Sequence, residues 1–196
     1  MEAMAMMLRA AFVLPGTVVE ELRTLAGRLG ALPGVRAEHC DHLDVRIALL
    51  GNVLADDARR LADAVAHELA TVAVPVVRTG DLEVRPDGDV AIGLLGDVDV
   101  LADVARTVGR AAERIHIYVD RRSFQPAVVV ASLGTQRPGS RVASFVGAIR
   151  PADVGAWPLD EIALIRTRWF AGGAVSEVVE RVPIGSGSGA GDALGA

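Results

Sequence analysis

The residues able to move protons or hold anions in this chain are few. Four histidines stand at His39, His42, His67 and His116, and Cys40 is the one cysteine. His42, Asp44 and Arg46 recur at every second position of the run from His42 to Leu50, opposite Leu43, Val45, Ile47 and Leu49. On a β-strand that spacing puts the three polar side chains on one face. An imidazole and a carboxylate sharing a face can divide acid-base work, and a guanidinium beside them can grip a phosphate through parallel N–H donors without doing chemistry on it. An ion pair between Arg46 and Asp44, or with another carboxylate, is the structural alternative. The remaining histidines offer less. His39 falls in a loop, His67 on the polar side of a helix and His116 in the short segment Ile115–Val119, so exposure is expected for each. Cys40 reads as a packed or rim thiol. Asp97, Asp99 and Asp103 lack the spacing of a metal loop and read as the first turn of a helix, and no metal or cofactor is expected.

These residues need elements to position them, and strand and helix patterns alternate along the chain. Leu8–Leu14 reads as a buried strand ended by Pro15-Gly16, and Thr17 caps a helix to about Leu29 with Val18, Leu22 and Leu25 inward. After the polar-faced strand His42–Leu50 comes a helix from Ala55 to Ala70. Val74–Arg78 and Leu82–Arg85 read as two short strands, and the turn Pro86-Asp87-Gly88-Asp89 leads into Val90–Leu95. A helix over Val98–Arg114 precedes Ala127–Leu133, a strand apolar on both faces. Thr135–Arg141 reads as a loop, and Leu159–Arg168 and Ala174–Ile184 as two closing strands with Gly172-Gly173 in the turn between them. Strand, helix, strand occurs twice over, which implies two similar lobes.

Composition bounds the class. The chain has 196 residues, a net charge of -5 and 51% apolar residues. That is enough to bury a core without staples, and the lone cysteine points to a reducing, cytoplasmic setting. The acidic balance argues against a broad surface that grips long nucleic acid. The most apolar early stretch, Met4–Leu14, is too short for a membrane span and is interrupted by Arg9. The final GSGSGAGDALGA, residues 185–196, is flexible by composition and follows a single domain of residues 1–184.

Several segments in this order resemble the two-histidine phosphoesterase superfamily, in particular its 2'-5' RNA ligase-like and RNA 2',3'-cyclic phosphodiesterase branch. Arg9-Ala-Ala-Phe-Val-Leu-Pro15 is similar to the family's opening strand. Asp41-His-Leu-Asp-Val-Arg-Ile-Ala-Leu-Leu-Gly51 resembles the first motif strand, and Phe124-Gln-Pro-Ala-Val-Val129 the second, where Phe-x-Pro-His-x-Thr is typical. Leu159–Ile165 with Gly172-Gly173 and Glu177–Ile184 resembles the last hairpin. The resemblance implies an α+β fold: two pseudo-symmetric lobes of antiparallel sheet with outer helices and a central cleft. In the family one His takes a proton while the other donates one, and the Thr two residues on holds the phosphate.

This sequence departs from the pattern at all four positions. Asp44 and Arg46 stand at the first His and Thr, and Ala127 and Val129 at the second pair. The resemblance therefore implies a catalytically impaired member whose cleft binds a nucleotide, an RNA end or another phosphorylated ligand through His42, Asp44 and Arg46, with Gln125, Ala127 and Val129 opposite. Two other readings stay open. One is a phosphodiesterase that works with His42 and Asp44 as acid and base. The other is a non-catalytic interaction module, favoured by the apolar face of Ala127, Val129 and Ala131.

Overall fold

A computed structural model describes residues 6–39, 42–120, 124–134, 141–151, 153–170 and 173–185. Its strands form two antiparallel sheets. The first has the order β3-β1-β8-β9, from β1 (Met6–Phe12), β3 (Val45–Val53), β8 (Glu161–Phe170) and β9 (Gly173–Pro183). The second has the order β2-β6-β5-β4-β7, from β2 (Arg36–Ala37), β4 (Val76–Val84), β5 (Asp89–Gly96), β6 (Ala127–Ser132) and β7 (Ala156–Pro158). The helices among the described residues are α1 (Gly16–Gly30), α2 (Ala55–Leu69), α3 (Val98–Arg114) and α4 (Arg141–Ala148). The class is α+β with two sheet lobes.

The lobes are not successive halves of the chain. The first sheet takes its strands from both ends of the sequence, and the second takes them from the middle. Helix α1 leaves β1 of the first sheet yet packs on β2 and β6 of the second, whereas α2 packs on β9 and α3 on β3. One apolar core consequently runs through both lobes, joining Leu8 and Phe12 to Ile92 and Val128. The helices bury the stripes their periodicity dictates: Val18, Leu22, Leu25 and Leu29 in α1, and Leu101, Val104, Val108 and Ala112 in α3. A fully buried leucine such as Leu29 or Leu101 contributes roughly 1.5–3 kcal/mol.

Several elements differ from expectation for local reasons. Helix α1 begins at Gly16 with Pro15 at its N-cap, so Thr17 is not the cap. The Pro15 carbonyl accepts from the amides of Val18 and Val19 instead. β4 is one strand where two short ones were expected, because the pairing with β5 shifts between Thr79 and Leu82 and continues. The strand expected from His42 begins at Val45, leaving residues 42–44 in a turn before it. β2, β7 and α4 are too short to declare themselves by periodicity. Arg141, expected to end a loop, opens α4, and residues 135–140 of that loop lie outside the described residues, as do Cys40 and Gly172. Gly185 is still anchored, its amide donating to the Leu69 carbonyl at 3.1 Å. At its φ of 76° a side chain would meet the Val72 carbonyl oxygen at 2.9 Å, which favours glycine there. The rest of the expected tail, residues 186–196, lies outside the described residues.

Candidate functional site

Register decides which side chains reach the space between the sheets. In β1, Leu8, Ala10 and Phe12 enter the main core, so Arg9 and Ala11 point the other way. Residues directly opposite in antiparallel strands share a face. Arg46 lies opposite Ala11 and Leu49 opposite Arg9, while Ala163 and Ile165 flank the same two from β8. In the second sheet Ala91 faces Val129 and Gly93 faces Ala127. The hairpin through Gly88, with a φ of 92°, brings Arg85 beside Asp89 through an amide-to-carbonyl bond of 2.8 Å.

A cavity of about 250 Å³ lies between these walls. Its lining includes all six residues singled out from the sequence: His42, Asp44 and Arg46 on one side, Gln125, Ala127 and Val129 on the other. Arg85, Asp87, Asp89, Asp120 and Phe124 complete much of the rest.

The strand parity behind that expectation is nonetheless corrected by two bulges in β3. Ala11 pairs with Arg46 and Ala10 with Ala48, so Ile47 is the extra residue, and Leu50 is extra in the same way between Leu49 and Gly51. Ala48 thereby sits opposite Ala10, packing against the core while still edging the cavity, and Leu49 joins the cavity lining opposite Arg9. Strict alternation had put Leu49 on the core side.

Asp44 is not free to act. Arg9 donates from Nε and Nη2 to Asp44 Oδ2 at 3.1 and 2.9 Å, and from Nη1 to Thr167 Oγ1 at 3.2 Å and Ser176 Oγ at 3.1 Å. Arg9 is 6% exposed and Asp44 8%. Burial pushes the Asp44 carboxyl above its ordinary range, while Arg9 and, more weakly, Arg46 and His42 pull it down. The expected alternative of an Arg46–Asp44 ion pair is therefore corrected: Arg9 holds this carboxylate, and Arg46 is exposed.

His42 is half-buried. Its Nδ1 donates to Glu38 Oε1 at 2.9 Å, since a carboxylate can only accept. Nε2 is shielded from solvent and has no hydrogen-bond partner among the described residues. His39, His67 and His116 are exposed. On the opposite wall, the Asp89 carboxyl is pushed up by burial and by the nearby Asp87, and pulled down by Arg46 and Arg85. Arg85 is partly engaged, its Nε donating to Glu83 Oε1 at 3.4 Å. Neither Arg46 nor the Asp89 side chain closes an ion pair or hydrogen bond among the described residues. Gln125 is exposed, and its backbone carbonyl accepts from the Ala127 amide at 2.8 Å. No group of three or more His, Cys, Asp or Glu among the described residues is placed to hold a metal ion, and no described helix is long and apolar enough to cross a membrane.

No protein-family model matches the chain, and no curated protein does. Solved structures do. E. coli LigT complexed with 3'-AMP superposes with a TM-score of 0.73 at 17% identity, over 92% of this chain and 98% of that one. A Thermus thermophilus protein superposes with a TM-score of 0.72 at 19% identity and the same coverage. A structure described as a phosphoesterase gives a TM-score of 0.72 at 17% identity, again over 92% and 98%. The chain has the fold of LigT.

The charged lining residues Arg85, Asp87, Asp89 and Asp120 escaped the sequence reading, as did Arg9 and Glu38, which hold Asp44 and His42. Arg9 had a signal, being the one charge in an otherwise apolar strand, which demands a buried partner. Arg85 and Asp89 had another, since they flank a tight turn and so must lie opposite one another. Glu38 and Asp120 carried none.

Proposed function

We propose that this protein is a catalytically impaired member of the two-histidine phosphoesterases that binds a nucleotide-like, phosphorylated ligand in its cleft without turning it over. The observation that carries the reading is the Arg9–Asp44 pair. At the first motif position a proton-transfer group is replaced by a buried carboxylate already committed to a guanidinium. At the second position Ala127 has no proton to give, and Val129 has no donor for a phosphate. Each lost acid-base group removes roughly 10²–10⁴-fold in rate. Binding asks for less, and Arg46 on one wall and Arg85 on the other give two guanidiniums to a single cavity. E. coli LigT has been solved with 3'-AMP, NADP+, ATP and phosphate, which supports a nucleotide as the first ligand class to try.

Two measurements test this. Titration calorimetry with 3'-AMP should show binding that Arg46→Ala weakens about tenfold, in line with the loss of a charge-assisted contact. An assay on 2',3'-cyclic nucleotides and 2'-5' linked oligonucleotides should show no turnover, and rates of an intact two-histidine enzyme would overturn the reading.

A second reading keeps some hydrolysis, and the Glu38–His42 hydrogen bond favours it, because a carboxylate that fixes an imidazole is how a general base is oriented. Asp44 is a poor partner for that role while Arg9 holds it. Residual cyclic phosphodiesterase activity abolished by His42→Ala would support this alternative, and activity unchanged in that variant would exclude it.

A further inference from the structure

The charges around the cavity pose a problem for any anion. Arg46 and Arg85 attract it, yet the Asp89 carboxylate shares the same space, and Arg46 and Arg85 are the cations that act on Asp89. The backbone leaves Asp89 little freedom to withdraw. Its amide donates to Asp87 Oδ1 at 3.1 Å, its carbonyl accepts from the Arg85 amide at 2.8 Å, and its place at the start of β5, on the Ala91 face, directs the side chain into the cleft. An ionised Asp89 beside a bound phosphate would set two like charges in contact within a partly desolvated site. A protonated one would offer an O–H to a phosphate oxygen and free both guanidiniums for the anion.

We propose that an anion enters between Arg46 and Arg85 together with a proton, which Asp89 takes up to become a neutral O–H donor to the bound anion. The proposal rests on the anion-binding reading above and adds a specificity-determining residue to it. The step balances: one proton from solvent goes onto an Asp89 carboxylate oxygen, no other bond changes, and release of the anion returns it. The charged and titratable groups around Asp89 are Asp87 in its own hairpin, Arg85 after β4, Arg46 on β3 and Glu38 after β2, with His42, Asp44 and Asp120 elsewhere in the cavity lining. The burial and the Asp87 charge that raise the Asp89 carboxyl act in the direction the proposal needs.

Sulfate is the probe, because it carries no proton of its own above about pH 2 and any proton taken up must come onto the protein. Sulfate binding is measured by calorimetry from pH 5 to 8 in buffers of different ionisation enthalpy, for the wild type, Asp89→Asn and His42→Gln. Affinity is expected to rise as pH falls, approaching tenfold per pH unit where Asp89 is ionised, with one proton taken up per sulfate. Asp89→Asn should bind more tightly at pH 8 with no proton uptake, while His42→Gln should keep the uptake. Sulfate bound by the wild type with no proton uptake overturns this proposal and leaves the binding reading standing. So does uptake that survives Asp89→Asn and vanishes in His42→Gln, since the imidazole is then the acceptor. Absence of sulfate binding in all three proteins at every pH overturns both.

Discussion

The two walls of the cleft differ in how their side chains are engaged. On the β3 side the polar groups other than Arg46 are committed: Asp44 to Arg9, Arg9 also to Thr167 and Ser176, His42 to Glu38. On the β6 side they are simply absent, with Ala127 and Val129 leaving an apolar surface. The β3 wall thus carries a buried ion pair, and β6 turns an apolar face toward the same cavity. Substitution should therefore cost stability on the first wall and little on the second.

The largest test of that contrast is Arg9→Ala. It strands the Asp44 carboxylate at 8% exposure without its cation, and removing one partner of a buried pair costs about 3–5 kcal/mol. Chemical denaturation should show that loss, and the double change Arg9→Met with Asp44→Leu should recover most of it, because apolar replacement of both partners is often neutral. If Arg9→Ala costs less than about 1 kcal/mol, the pair behaves like a surface salt bridge and the contrast between the walls fails.

Next in size is an attempt to refill the second wall. Ala127→His with Val129→Thr puts both side chains into the cavity, so the variant should fold with nearly wild-type stability. It should still show no cyclic phosphodiesterase activity, because the opposite position remains the Arg9-bound Asp44. Turnover on 2',3'-cyclic nucleotides by this double variant would mean that the first wall is less committed than its hydrogen bonds imply.

What could be read from the sequence follows the same division. Long periodic elements were legible: the bounds of α3, the buried stripe of α1 and the sense of two lobes all rest on spacing that the packing leaves intact. The six cleft residues were legible because the motif order brought them together, and they do line one cavity. What was lost depends on contacts between distant segments. Arg9 and Asp44 are 35 residues apart, and nothing local says that they meet. The bulges at Ile47 and Leu50 shift the register of β3 and bring Leu49 into the cavity lining, where alternation alone assigns it to the core side. The interleaving of strands between sheets is likewise a property of the assembled topology, invisible to any one window.

The smallest expected effect concerns Asp89, where the two walls meet electrostatically. Its carboxyl is raised by burial first and by Asp87 second, against the pull of Arg46 and Arg85. A raised folded-state value means that the group's favourable contribution is fully present below the ordinary carboxylate value near 3.9 and is lost as pH climbs through the folded one. At neutral pH the ionised Asp89 therefore costs stability, and Asp89→Asn should melt slightly higher than the wild type at pH 7. Below about pH 4 the advantage should vanish, because the wild-type carboxyl is then protonated in both states. The group is only partly buried, so solvent screening keeps the change small, under the ~2–4 °C that 1 kcal/mol moves a chain of this size. Thermal melts at the two pH values measure it. A variant less stable than the wild type at pH 7 would show that Arg46 and Arg85 outweigh burial at Asp89, and would make this carboxylate a tie between the walls in place of a strain between them.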